Sequence, residues 1–149
     1  MENKIDISNL SAKDGKQCIN LPIDENLICL KCISPKKLRF EVEYSLAKGT
    51  TANSFLFHEE SLDASTAVLI NPPGINFEEV FLATLSNLLP KKDINLQVVI
   101  GHINPNRVAL LKKLVDIYTS IKLVMSNPAA KLLEALWNQT KPSKNNSDT

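Results

Sequence analysis

The chain has 149 residues, 44% hydrophobic and 22% charged, which suits one domain with a packed core and little more. Lys and Arg total 17 against 16 Asp and Glu, a formal net charge of +1. That balance excludes a bulk electrostatic pull toward nucleic acid or anionic membrane, and two histidines with three cysteines are a thin stock of metal ligands.

Residues 1–17 are polar and mixed and read as an irregular lead-in. They hold no basic region followed by an apolar run, so no secretory signal is expected. No stretch approaches the roughly 18 apolar residues that span a bilayer. A cytoplasmic location follows as an expectation. Short apolar runs then alternate with turn-rich spacers, predicting strands at 18–21, 27–33, 38–44, 52–57 and 66–70. The third of these, Phe40-Glu41-Val42-Glu43-Tyr44, alternates strictly, as a half-buried antiparallel strand does. Cys29 and Cys32 form a C-x-x-C, but no second ligand pair follows at zinc spacing. On a strand, residues three apart point to opposite faces. Cys18, Cys29 and Cys32 are therefore read as reduced thiols.

From Gly74 onward the period changes. Asn76 is positioned to cap a helix, with Glu78 and Glu79 in its first turn, where the macrodipole favours anions. Phe77, Val80, Phe81, Leu85, Leu88 and Leu89 fall on one helical face, and Pro90 ends the run. Residues 96–100 are nearly all apolar and predict a central strand. A second helix is expected from Asn106 to Tyr118, with Val108, Leu111, Leu114, Val115 and Tyr118 inward. Residues 121–125 form the next strand, and Asn127-Pro128 starts a third helix over 129–137. Residues 141–149 are polar and read as a disordered tail. Alternating strands and helices imply right-handed crossovers and parallel pairing. Antiparallel strands before them make a mixed sheet, and three helices are thin cover for its two faces.

In an open α/β sheet, ligands bind beyond the carboxyl ends of the strands. Two loops stand there: Asn71-Pro72-Pro73-Gly74 and Gly101-His102-Ile103-Asn104-Pro105-Asn106-Arg107. The second holds a histidine, two amides and an arginine directly before a helix. Asn104, Pro105 and Asn106 are also ordinary turn and cap residues. A small hydrolase using His102 as base and Ser126 as nucleophile is a weak option, because no carboxylate stands by to orient either.

The run from Leu38 to Trp137 resembles the start of the metallo-β-lactamase-like domain of flavodiiron proteins, and within them the diflavin flavoproteins of oxygenic phototrophs. Gly49-Thr50-Thr51-Ala52-Asn53-Ser54 resembles that family's Gly-Thr-Thr-x-Asn-Ser strand. The strand over residues 67–70 with Asn71-Pro72-Pro73 stands where the family has an apolar strand and an acidic loop. Residues 101–107 stand where it has its H-x-E-x-D-H iron loop, and Ser126-Asn127-Pro128 matches the next turn. The resemblance implies an incomplete αββα sandwich over residues 18–140, with antiparallel strands followed by βαβα units in a mixed sheet. It implies a family activity, the reduction of dioxygen to water driven by NAD(P)H through FMN and a di-iron centre.

Carried over residue by residue, the first ligand falls on His102, which is kept. Asn104 and Asn106 replace carboxylates, and Arg107 replaces the last histidine of the motif. His58 matches no ligand. A neutral amide is a weaker donor than a carboxylate and cannot bridge two metals, and a guanidinium opposes them. No glycine-rich phosphate loop is present: Gly49, Gly74 and Gly101 are isolated. The expectation is a truncated or split piece, inactive alone and holding no cofactor. It would pair in a homo- or hetero-oligomer with flavodiiron subunits or with a missing C-terminal piece, and bind no nucleic acid. The alternative is a free-standing, non-catalytic α/β interaction module built from the same half-domain.

Overall fold

The computed structural model describes residues 15–35, 49–58 and 66–139. A first hairpin joins β1 (Gln17–Asp24) to β2 (Leu27–Ser34) through a two-residue turn at Glu25 and Asn26, with a bulge between Pro22 and Asp24. β3 (Thr50–His58) pairs antiparallel with β2, and β4 (Thr66–Ile70) antiparallel with β3. Then α1 (Glu78–Leu88), β5 (Asn95–Val99), α2 (Pro105–Ile117), β6 (Ser120–Val124) and α3 (Asn127–Gln139) follow. β5 pairs parallel with β4, and β6 parallel with β5. The six described strands lie in the sheet in chain order, with β1 and β6 at the edges among the described residues. The mixed sheet, antiparallel first and parallel after, is the one the element order predicts, and β5 is interior. The predicted strand at 38–44 and the polar tail at 141–149 lie outside the described residues, as does the lead-in before Gly15.

Alternation along each strand decides what faces the helices. Leu30 and Cys32 of β2, Ser54 and Leu56 of β3, Ala67 and Leu69 of β4, and Leu96 and Val98 of β5 are all buried on one face. They pack with Val80, Phe81 and Leu85 of α1 and Val108, Leu111 and Leu114 of α2 in one continuous core. The apolar helix stripes are those the periodicity predicts, except that Leu110 and Thr84 are buried too, while Val115 and Leu88 are half-buried. Tyr118 is buried at the end of α2, where its hydroxyl donates to the Leu89 carbonyl at 3.1 Å. That bond ties the exit of α2 to the exit of α1. α3 packs more loosely, burying Leu133 and meeting α2 through Lys112, whose ammonium donates to the Trp137 carbonyl at 2.9 Å.

The opposite face of the sheet has no helix over it among the described residues. Strand register sets Leu21, Cys29, Phe55, Ile70, Val99 and Val124 side by side across all six strands on that face. Its ends are open: Leu21 is 38% exposed and Val124 44%, and Phe57 in the next row is 43% exposed. No described helix is long and apolar enough to cross a membrane.

The caps differ from the expected ones. Asn76 does not cap α1. It lies inside a 3-10 turn, Ile75–Phe77, that leads into the helix, and its carbonyl accepts a bond from Lys16 Nζ at 2.8 Å. α2 begins one residue earlier than expected, and of the two asparagines suited to a cap it is Asn104 that caps it. Ser126 Oγ accepts from the Ala129 N–H at 3.4 Å, so the cap of α3 is Ser126 and Asn127 is the first helical residue.

Candidate functional site

Because β4 and β5 run parallel, their carboxyl ends open on the same edge of the sheet, where open α/β sheets place ligands. Asn71 holds the two loops at that edge together. Its φ is 53°, in the left-handed region that asparagine adopts more readily than most residues. Its N–H donates to the Val99 carbonyl at 3.0 Å, and its carbonyl accepts from Ser54 Oγ at 2.6 Å. Its Oδ1 accepts from the Gly101 N–H at 3.3 Å. One residue thus ties the end of β4 to β3, to β5 and to the loop after β5. The loops also touch directly: a Cβ added at Gly74 would meet Asn106 Cβ at 3.3 Å.

The second loop is shaped by its own side chains. Asn104 has extended backbone, and its Oδ1 accepts from the Arg107 N–H at 2.9 Å, with Pro105 in the first helical position. Ile103 is buried and anchors the loop in the core. Arg107 Nη1 donates to the His102 carbonyl at 3.0 Å, which folds the arginine back over the loop. Partial burial lowers the Arg107 pKa from its ordinary value through desolvation, yet a guanidinium stays charged throughout the accessible pH range. The His102 side chain is exposed.

Between the loops lies a cleft of about 290 Å³. Thr50 to Asn53 at the start of β3 form one wall, the Asn71 to Phe77 loop another, and Asn104, Asn106 and Arg107 the third. Its polar lining consists of hydroxyls, amides and one guanidinium. His102 is not part of the lining, and neither is any described carboxylate. His58 is remote: it pairs with Ala67 near the amino end of β4, whereas Phe55 pairs with Ile70 at the carboxyl end. At about 3.3 Å per residue the two histidines stand at opposite ends of the sheet.

The donor set can be tested against the di-iron centre that the motif implies. Such iron takes imidazole and anionic carboxylate ligands. The loop offers one exposed imidazole, one amide spent on a helix cap, one neutral amide at the cleft wall, and a guanidinium. Among the described residues, no three His, Cys, Asp or Glu side chains converge. This set does not fit a di-iron centre. The hydrolase option fares no better, since Ser126 is engaged as the cap of α3.

The sequence pointed to His102, Asn104, Asn106 and Arg107, and the last three do line one cleft. Asn71 belongs to the other loop that the sequence singles out and forms a second wall, and the start of β3, named only through the family resemblance, forms the third; what the sequence did not show is that Asn71 bridges them. The available signal was an asparagine placed between a strand and Pro72-Pro73, a position that invites a left-handed turn.

No protein-family model matches the chain. It is 48% identical over 110 residues to diflavin flavoprotein A 6 of Nostoc sp., a match covering 74% of this chain and 18% of that protein. Among solved structures, a metal-soaked flavodiiron core from Synechocystis sp. superposes with a TM-score of 0.74 at 34% identity, covering 85% of this chain and 30% of that one. A fragment, residues 1–254, of diflavin flavoprotein A 5 from Nostoc sp. superposes with a TM-score of 0.72 at 32% identity, covering 85% of this chain and 48% of that fragment. The chain therefore spans about a fifth of the curated relatives it matches. The ordered motifs, the mixed sheet and these likenesses agree: the chain belongs to the flavodiiron family, in its diflavin flavoprotein branch, and corresponds to part of the metallo-β-lactamase-like domain.

Proposed function

We propose that the chain is a truncated or split piece of a flavodiiron-type oxygen reductase and is not catalytic by itself. The observation that carries this reading is the way the iron loop is built. Asn104 is used to cap α2, and Arg107 closes onto the His102 backbone. Both are structural roles that leave no anionic ligand at the motif positions. His102 keeps a ligand position without the partners that would make it a metal site. The family activity is reduction of dioxygen to water, driven by NAD(P)H through FMN and di-iron. It would then belong to an assembly in which other chains, or the rest of this domain, hold iron and flavin. The apolar row across the open sheet face supports the same reading, because a surface of that kind is normally covered. Homo- or hetero-oligomers with flavodiiron subunits, in the cytoplasm, are the proposed setting.

Oxygen-electrode measurements test it. Purified chain supplied with NAD(P)H, FMN and ferrous iron should consume no more oxygen than the same mixture without protein. Chain-dependent turnover that disappears in His102→Ala would overturn the proposal.

The open face equally favours a second reading, a free-standing α/β interaction module that kept this half-domain and lost the chemistry. Genomic DNA just downstream separates the two. A frame continuing the lactamase-like domain supports the split piece. Absence of such a frame, with a stable complex recovered from cells, supports the module.

A further inference from the structure

The cysteine pair that sequence spacing singles out, Cys29 and Cys32, is not the pair that the fold brings together. Cys29 is buried on the face of the sheet away from the helices, in register with Leu21 and Phe55. Cys18 and Cys32 lie on the helix face as direct cross-strand partners in the β1–β2 hairpin. They are 1% and 0% exposed. Their thiols are within hydrogen-bonding reach of each other, and Thr84 of α1 lies within reach of Cys18. Directly opposed residues in an antiparallel pair have Cα atoms about 4.5 or 5.5 Å apart, depending on the site. Both spacings fall inside the roughly 4.4–6.8 Å window over which a disulfide forms. Opposed Cβ atoms, at about 4.5–5.5 Å, are slightly wider than the disulfide optimum of about 3.8 Å. Closing the bond therefore draws the strands together, and a bond formed under such strain is readily reduced again.

We propose that Cys18 and Cys32 form a reversible cross-strand disulfide by exchange with a disulfide-bearing oxidant. The inference does not rest on the functional reading above. The Cys18 thiolate attacks one sulfur of the oxidant, forms a mixed disulfide and expels one thiolate. The Cys32 thiolate then attacks the Cys18 sulfur and expels the second. The chain loses two S–H bonds and gains one S–S bond, and the oxidant is reduced to two thiols. Cys18 is the first attacker for a geometric reason. Among the described residues β1 is an edge strand paired with β2, so lifting it admits the oxidant without parting two described strand pairs. The contact between the two thiols also favours a thiolate on Cys18, because Cys32 donates to it, and it pushes the Cys32 thiol up. Once closed, the bond fastens the edge strand to β2 beneath α1.

The test uses the whole chain, first fully reduced and then held with oxidised glutathione. It is next unfolded, alkylated and mapped by mass spectrometry without reduction. Alkylatable thiols should fall from three per chain to one, at Cys29, with a single peptide pair joining Cys18 to Cys32. Reductant should restore all three. Cys29→Ser should form the same bond, and Cys18→Ser should leave both remaining thiols alkylatable. The wild-type map decides the question even where a variant folds poorly. Three alkylatable thiols after oxidation, a stable glutathione adduct without ring closure, or a bond that includes Cys29 would each overturn the proposal.

Discussion

Leu69 and Ile70 are neighbours in β4 and nearly equal in size, yet they meet different surroundings. Leu69 is 0% exposed beneath the helices, while Ile70, pointing the other way, is only half-buried. The contrast runs across the sheet. On the helix face, register aligns Ile28, Leu56, Leu69, Val98 and Leu123 under a packed layer. On the other, Leu21, Cys29, Phe55, Ile70, Val99 and Val124 form an equally apolar row with no described element above it. A sheet that faced water on one side would alternate apolar with polar residues along each strand. Beside that row, however, the same face carries Lys31, Asn53, Gln97 and Lys122, so the helix face is apolar across its centre while the other is apolar along one row and polar next to it.

Paired substitutions at that boundary break the comparison most sharply. Leu69→Ala should cost about 2–5 kcal/mol through lost burial and a residual cavity. Ile70→Ala should cost about 1 kcal/mol or less in the chain alone, because its surroundings are already partly wet. Equilibrium urea unfolding measures both, and equal losses would mean that the open face is covered in solution. Association is the next effect. Phe57→Lys combined with Val124→Lys places charge at two exposed positions. It should move the chain from larger species toward monomer in light scattering, with its circular dichroism unchanged. A wild-type chain that is already a monodisperse monomer at high concentration would remove the assembly argument.

Two smaller effects test the covered side. Asn104→Ala removes the cap of α2 and should cost about 1 kcal/mol, read as a lower unfolding midpoint. Asn106→Ala should cost less, since Asn106 is not the cap. Tyr118 is buried, and desolvation raises its phenol above the ordinary value of 10.0. The unfolded state then gives up this proton first, so the folded state binds more protons and stability falls as pH rises through and beyond about 10. Below that range the contribution is fully present. Tyr118→Phe should be less stable at neutral pH by about 1 kcal/mol for the lost bond to Leu89. It should also show a shallower alkaline decline than the wild type, followed by thermal unfolding at several pH values.

Much of this was readable from residue order, and what was not has physical causes. Alternation and helical period located the described strands and helices, because burial on one side imposes those periods. Caps slipped by one or two residues, since Asn104 and Asn106, or Ser126 and Asn127, are equally suited by type. The backbone angles at the junction choose between them, and only Asn104 has the extended conformation that lets its amide turn back on the helix. The bridging role of Asn71 was invisible because it depends on β4 and β5 lying side by side. The apposition of Cys18 with Cys32 depends on a hairpin register fixed by the turn at Glu25 and Asn26. The C-x-x-C spacing drew attention to the wrong partner.

We propose that the loop from Gly101 to Arg107 holds a capped helix start and an arginine clasp in place of a di-iron centre. Metal analysis of the chain purified from iron-replete cells tests this most directly. The account predicts well below one iron per chain, unchanged in His102→Ala. About two tightly held irons per chain, the stoichiometry of a two-metal site, lost in His102→Ala, would contradict it.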